Sequence, residues 1–183
     1  MIMNIEKQIK TIIRLKQMKI KLLLILMPVF FIQGCGVYSF TGASISPEVE
    51  SVQIKSFPNE ADLVQPTLAQ DLTNSLKEKF SAQTNLDVLD SEGDLVLEGA
   101  IRKYSTEPVA IQGDQTAALN RLSITIFVKF TNKIEPEQNF ESTFTQYREY
   151  PSAQRLSEVE DGLIEEINGD LVEDIFNKAV VNW

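Results

Sequence analysis

The chain contains no histidine and only one cysteine in 183 residues. Without histidine there is no imidazole to act as an acid or base at neutral pH, no Ser/His or Cys/His nucleophile pair and no His-containing zinc site. A lone cysteine excludes an internal disulfide and a thiolate metal cluster. Phosphate-binding and nucleophile loops are missing too: Gly42-Ala43-Ser44-Ile45-Ser46 lacks the second glycine of a nucleophile elbow, and no dinucleotide fingerprint occurs. An enzyme would have only carboxylates and hydroxyls to work with, so the expectation is a non-catalytic protein with no cofactor.

What is present is acid, unevenly placed. The formal net charge is −9, from 17 bases and 26 acids. Lys7, Lys10, Arg14, Lys16, Lys19 and Lys21 stand against Glu6 alone in the first 34 residues, which leaves 11 bases and 25 acids, or −14, for the rest. A chain of that sign repels a phosphate backbone, and no basic patch offsets it, so nucleic acid is not an expected partner. The 43% hydrophobic content is enough for one folded domain.

The basic start leads into Leu22 to Ile32, an apolar run broken only by Pro28. It is too short to span a bilayer and reads as the core of a signal peptide over residues 1–34. Met18 and Met3 both fit as the true start. The run ends in Ile32-Gln33-Gly34-Cys35, which resembles a bacterial lipobox and makes Cys35 the expected lipidation site. Each buried CH₂ contributes about 0.8 kcal/mol, so two or three acyl chains hold a protein at a membrane almost permanently. After Cys35 no run approaches the roughly 18 apolar residues of a spanning helix. Cys35 is followed by Gly36 and not by the aspartate that signals inner-membrane retention in many Gram-negative lipoproteins, and resemblance to those sorting patterns favours the periplasmic face of the outer membrane.

Residues 35–47 read as a Gly/Ser/Thr-rich tether, with Val37, Tyr38 and Phe40 as anchors, and 48–183 as one domain. Within it, alternation predicts strands over Val49–Phe57, Asp94–Tyr104, Arg121–Ile134 and Gln138–Tyr150. In the third of these, Leu122, Ile124, Ile126, Val128 and Phe130 share one face, Ser123, Thr125, Lys129 and Thr131 share the other, and Phe127 is the exception. Such regular alternation implies a sheet covered on one side. Leu68, Ala69, Leu72, Leu76 and Phe80 form a helical stripe over Pro66–Gln83. Ser157-Glu158-Val159-Glu160 has the form of a capping box, opening a helix that buries Val159, Leu163, Ile167, Leu171 and Ile175 and carries eight acids on its other face. The fold class is α+β: two helices on one face of a roughly four-stranded, mainly antiparallel sheet.

Three features remain. Asp87, Asp90, Glu92 and Asp94 around Gly93 offer oxygen ligands, but the spacing misses the EF-hand pattern and a turn explains the same residues, so no metal is expected. Ser105 to Ala118 reads as a long turn or an extension of the flanking strands. Val180, Val181 and Trp183 pack back onto the domain or enter a partner.

Cys35-Gly36-Val37-Tyr38-Ser39-Phe40, Phe57-Pro58-Asn59, Pro66-Thr67-Leu68, Leu72-Thr73-Asn74-Ser75-Leu76 and Gly93-Asp94-Leu95-Val96-Leu97-Glu98-Gly99-Ala100-Ile101 with Tyr104 together resemble the LptE family of lipopolysaccharide-assembly lipoproteins. The resemblance runs in order through essentially the whole chain after Cys35. It implies a small α/β sandwich that sits as a plug inside the LptD-type outer-membrane β-barrel, helping it assemble and pass lipopolysaccharide to the outer leaflet. The polar sheet face and strand ends (Arg102, Lys103, Tyr104, Arg121, Lys129) would then meet the polar lumen wall. Contact with lipopolysaccharide phosphates would need cations, and Arg102, Lys103 and Arg121 are the candidates. The negative charge weights the plug role above direct lipid binding. The alternative is an outer-membrane-anchored scaffold or binding lipoprotein without a barrel partner.

Overall fold

The computed structural model describes residues 45–63, 65–109 and 118–180. The leader, Cys35 with most of its tether, the tip of the Ser105 to Ala118 connection, Val181 and Trp183 lie outside the described residues.

Regular alternation builds the centre of the sheet. Strand β3 (Leu95–Val109) and strand β4 (Leu119–Asn132) pair antiparallel from Leu95↔Asn132 to Val109↔Leu119. The connection therefore begins as an extension of both strands. Strand β5 (Phe140–Pro151) continues the antiparallel ladder on the far side of β4, after a short 3₁₀ turn at Pro136–Gln138. On β4, Leu122, Ile124, Ile126, Val128 and Phe130 are all buried, as the period of two requires for one covered face.

The other half of the sheet differs from expectation. The first strand, β1 (Ser51–Ile54), is shorter than predicted and runs parallel to β3. Helix α1 (Leu68–Gln83) returns the chain to a fifth strand, β2 (Asp87–Leu89), which is parallel to β1. Among the described residues the sheet is thus five-stranded and mixed, in the order β2-β1-β3-β4-β5. Strand β2 spans three residues, too few for a periodic signal; it begins with Asp87 and is followed by Asp90.

Asp94, expected in a simple turn, clasps the start of β1. Its carboxylate accepts hydrogen bonds from the backbone N–H of Glu50 and Ser51 (3.1 and 3.0 Å) and from the Ser51 hydroxyl (2.8 Å). These bonds hold the Asp94 carboxyl below the usual carboxylate range, led by the Ser51 hydroxyl.

Helix α2 (Leu156–Val180) follows β5. It starts two residues earlier than a capping box at Ser157 requires, so Ser157 lies inside the first turn. Arg155, just before the helix, reaches Glu158 instead. Both helices cover the same face of the sheet, and the rings of Phe80 and Phe176 meet edge to face with centroids 5.1 Å apart. Burying each such aromatic contributes about 2 to 3 kcal/mol. The α+β two-layer architecture is as the sequence predicts.

Candidate functional site

Covering one sheet face leaves the other open, and the candidate site is that open face. Its makeup depends on a single irregularity in β3. Ile101 pairs with Ile126 and Lys103 with Thr125, so Arg102 is an extra residue in a β-bulge. The bulge shifts the phase of the strand. Arg102 sits over the open-face Phe127 ring, 5.6 Å from its centroid, and Lys103 lies beside Thr125. Two consecutive cations thereby share a surface that strict alternation would have split between opposite faces.

The same shift moves Tyr104 to the helix side, which corrects its expected place on the polar face. Tyr104 is 6% exposed, and its hydroxyl donates to Glu160 of α2. Burial and then Glu160 push its pKa above the ordinary phenol value.

Among the described residues, the open-face cations Lys55, Arg102, Lys103, Arg121 and Lys129 are each paired. Lys55 lies 2.7 Å and Lys129 3.3 Å from Glu98, on β3 between them. Arg102 meets Glu60, Lys103 meets Glu107 at 3.0 Å, and Arg121 meets Glu149 at 2.6 Å. These pairs pull Glu98 and Glu107 down and hold Arg121 up. Exposed pairs of this kind contribute about 0 to 1 kcal/mol to folding. Their main effect is to make the face a mosaic with little net charge.

Between the pairs lie hydroxyls and rings. Thr125 and Thr145, directly opposite in the β4/β5 ladder, share a hydrogen bond of 3.0 Å. Tyr147 is 46% exposed, and the Arg121 guanidinium sits 4.1 Å from its ring centroid. Arg121 is a residue the sequence predicts for this face, whereas Thr145, Tyr147 and Glu149 are additions from the structure. The signal for them was the all-polar odd set Glu141, Thr143, Thr145, Tyr147 and Glu149 along one strand.

The acidic character lies on the other layer. Along α2, Glu166 and Asp170 both bind Arg148 at 2.7 Å, Asp174 accepts from Gln146 at 2.7 Å, and Glu173 meets Lys79 of α1. Part of that row therefore fastens the helix to β5 and α1. The molecule has two unlike faces, one nearly neutral and rich in hydroxyls, the other acidic.

Compared with known proteins, residues 49–179 match the family model LptE, described as Lipopolysaccharide-assembly. The chain belongs to the LptE family. The LptE match runs from just before β1 almost to the end of α2, and so includes both layers and the whole open face. No curated protein matches the chain in sequence. Among solved structures, a minor lipoprotein from Acinetobacter baumannii is similar at 16% identity, covering 69% of this chain and 89% of that one with a TM-score of 0.46. Rare lipoprotein B from Shewanella oneidensis is similar at 12% identity, with coverage of 69% and 89% and a TM-score of 0.42. Lipoprotein B from Nitrosomonas europaea is similar at 17% identity, covering 69% and 79% with a TM-score of 0.45. Among the described residues no helix is long and apolar enough to cross a membrane.

Proposed function

We propose that this LptE family member is held by lipid at Cys35 on the periplasmic side of the outer membrane, after removal of residues 1–34. There its open sheet face seats against the lumen wall of an LptD-type β-barrel. In this role it is a plug and assembly partner for lipopolysaccharide transport, and it performs no bond chemistry.

The observation that carries the reading is the pairing of Lys55, Arg102, Lys103, Arg121 and Lys129 with acids of the same face. A barrel lumen is polar, and a surface of satisfied ion pairs, threonines and aromatic rims can lie against such a wall without burying a lone charge. The acidic α2 face stays on the opposite layer, away from that contact.

Arg102, Lys103 and Arg121 remain the candidates for lipopolysaccharide phosphates. Each would have to leave Glu60, Glu107 or Glu149 to bind one. That cost supports wall contact over direct lipid binding as the main task of the face.

The test is a Thr125→Arg, Thr145→Arg pair placed in the centre of the open face and carried by the full chain. The expected result is a folded, membrane-bound protein that no longer co-purifies with a large barrel protein. Undiminished co-purification would refute the open-face contact. A scaffold without a barrel partner, the alternative, predicts no barrel protein even with the unsubstituted chain.

A further inference from the structure

A second surface, distinct from the open face, lies along the sheet's outer edge. Of the two edge strands, β2 is only three residues long, a length that itself discourages pairing. Strand β5 has twelve residues and pairs only with β4 among the described residues. Of the usual guards it has charged side chains, Glu141, Arg148 and Glu149, but no bulge and no internal proline. Its register with β4 runs without a bulge from Leu119↔Pro151 to Phe130↔Phe140, its only proline is its last residue, and it has no lysine. The edge therefore presents outward N–H and C=O groups along its length, with the Tyr147 carbonyl already accepting from Arg148 Nη1 at 3.0 Å.

The side chains flanking the edge specify what could pair with it. On the helix side, Phe140 and Phe144 are only half-buried, so the core is unfinished there. Above them runs the acidic row of α2, fixed in place by Arg148 to Glu166 and Asp170 and by Gln146 to Asp174. The cations facing this edge are Arg148, occupied by two carboxylates, and Lys178, 5.2 Å from the Phe140 ring, with Arg121 over Tyr147 and Lys129 opposite Glu141 on the open-face side. On the open-face side stands Glu141, while Glu149 is held by Arg121. A second copy pairing through β5 would bring α2's acidic row against itself. A segment with apolar residues alternating with Lys or Arg would cover the phenylalanines and meet the acids.

We infer that β5 accepts an extended, basic segment of a partner protein as a sixth strand. The inference holds whether or not that partner is a barrel. Backbone hydrogen bonds would supply register, and the α2 acids would select for positive charge.

The test uses the full chain in detergent, labelled for amide NMR, and a short acetylated peptide alternating valine with lysine. Two control peptides replace lysine by glutamate, or keep lysine but N-methylate every second backbone amide. The expected result is saturable binding that shifts β5 amides between 140 and 151, with both controls about tenfold weaker or silent. Changing Glu141→Lys with Glu166→Lys, both exposed, should weaken the lysine peptide similarly, while Asp62→Lys with Glu78→Lys should not. Equal binding by the N-methylated peptide would reduce the effect to charge alone and overturn strand addition. No binding, shifts confined to α2, or a dimer that buries β5 would overturn it as well.

Discussion

The ring of Phe57 lies against the backbone of Gly99. A Cβ at position 99 would stand 2.7 Å from Cε1 of Phe57 and 2.1 Å from the carbonyl oxygen of Phe127. The segment after β1 runs on beside β3, bonded to Leu97 and Ile101, and Gly99 leaves room for the fully buried Phe57 ring. Gly99→Ala is expected to cost about 3 kcal/mol, at the upper end for overpacking because one of the obstructing atoms is backbone. Urea denaturation checks this, and an unchanged midpoint would mean that Phe57 does not need the glycine.

Acid sensitivity follows from the depressed carboxyls. Asp94, Glu98, Glu107 and Glu173 are each held below their ordinary values of 3.8 for Asp and 4.5 for Glu, by Ser51, Lys55, Lys103 and Lys79 respectively. A lowered folded pKa contributes stability that is present above the unfolded value and lost as pH falls through the folded one. Stability should therefore be level down to about pH 5 and decline below the ordinary carboxylate values. Asp94→Asn should flatten part of that decline while loosening β1 at neutral pH. Thermal melts across the acid range decide it, and an identical decline in the variant would count against the Asp94 clasp.

Tyr104 carries the opposite sign. Its raised pKa favours the neutral phenol in the folded state, so the associated stability is complete below pH 10 and is lost as pH rises towards the folded value. In a near-ultraviolet alkaline titration one tyrosine should ionise well after the others. Tyr104→Phe should remove that late component. If the late component persists, another tyrosine is responsible.

These two polar groups also mark how far the sequence could be read. The alternation of β4 and the apolar stripes of α1 and α2 survive because each element presents many periodic positions to one core. The bulge at Arg102 is a single inserted residue with no Gly or Pro to announce it, so nothing in the pattern foretold that Arg102 and Lys103 would share a face or that Tyr104 would turn inward. Strand β2 was hidden for a related reason: three residues cannot show a period, and Val88 between Asp87 and Leu89 depends on β1 for its register. Arg121 was legible as a site residue, but its partners Glu149 and Tyr147 come from pairing across strands, which a linear pattern does not encode.

Arg121 offers a way to separate folding from docking. Its pair with Glu149 and its place over Tyr147 are on the solvent-screened open face, so Arg121→Ala should leave folding stability nearly unchanged. Recovery of a barrel partner should fall much further. Equal losses in both measurements would mark Arg121 as a folding residue alone.

Lipid anchorage has its own test. Cys35→Ala should release the protein from membranes into the soluble periplasmic fraction. Retention in the membrane fraction would contradict an acyl anchor at that residue.

The central claim is that this LptE family member works as the fitted partner of a β-barrel. Its most direct measurement is native detergent extraction of the full chain from cells that make it, with the mass and composition of the complex determined. The account predicts a stable complex with a large outer-membrane barrel protein, lost in the Thr125→Arg, Thr145→Arg pair. Recovery of the unsubstituted protein alone, free of any barrel, would contradict it.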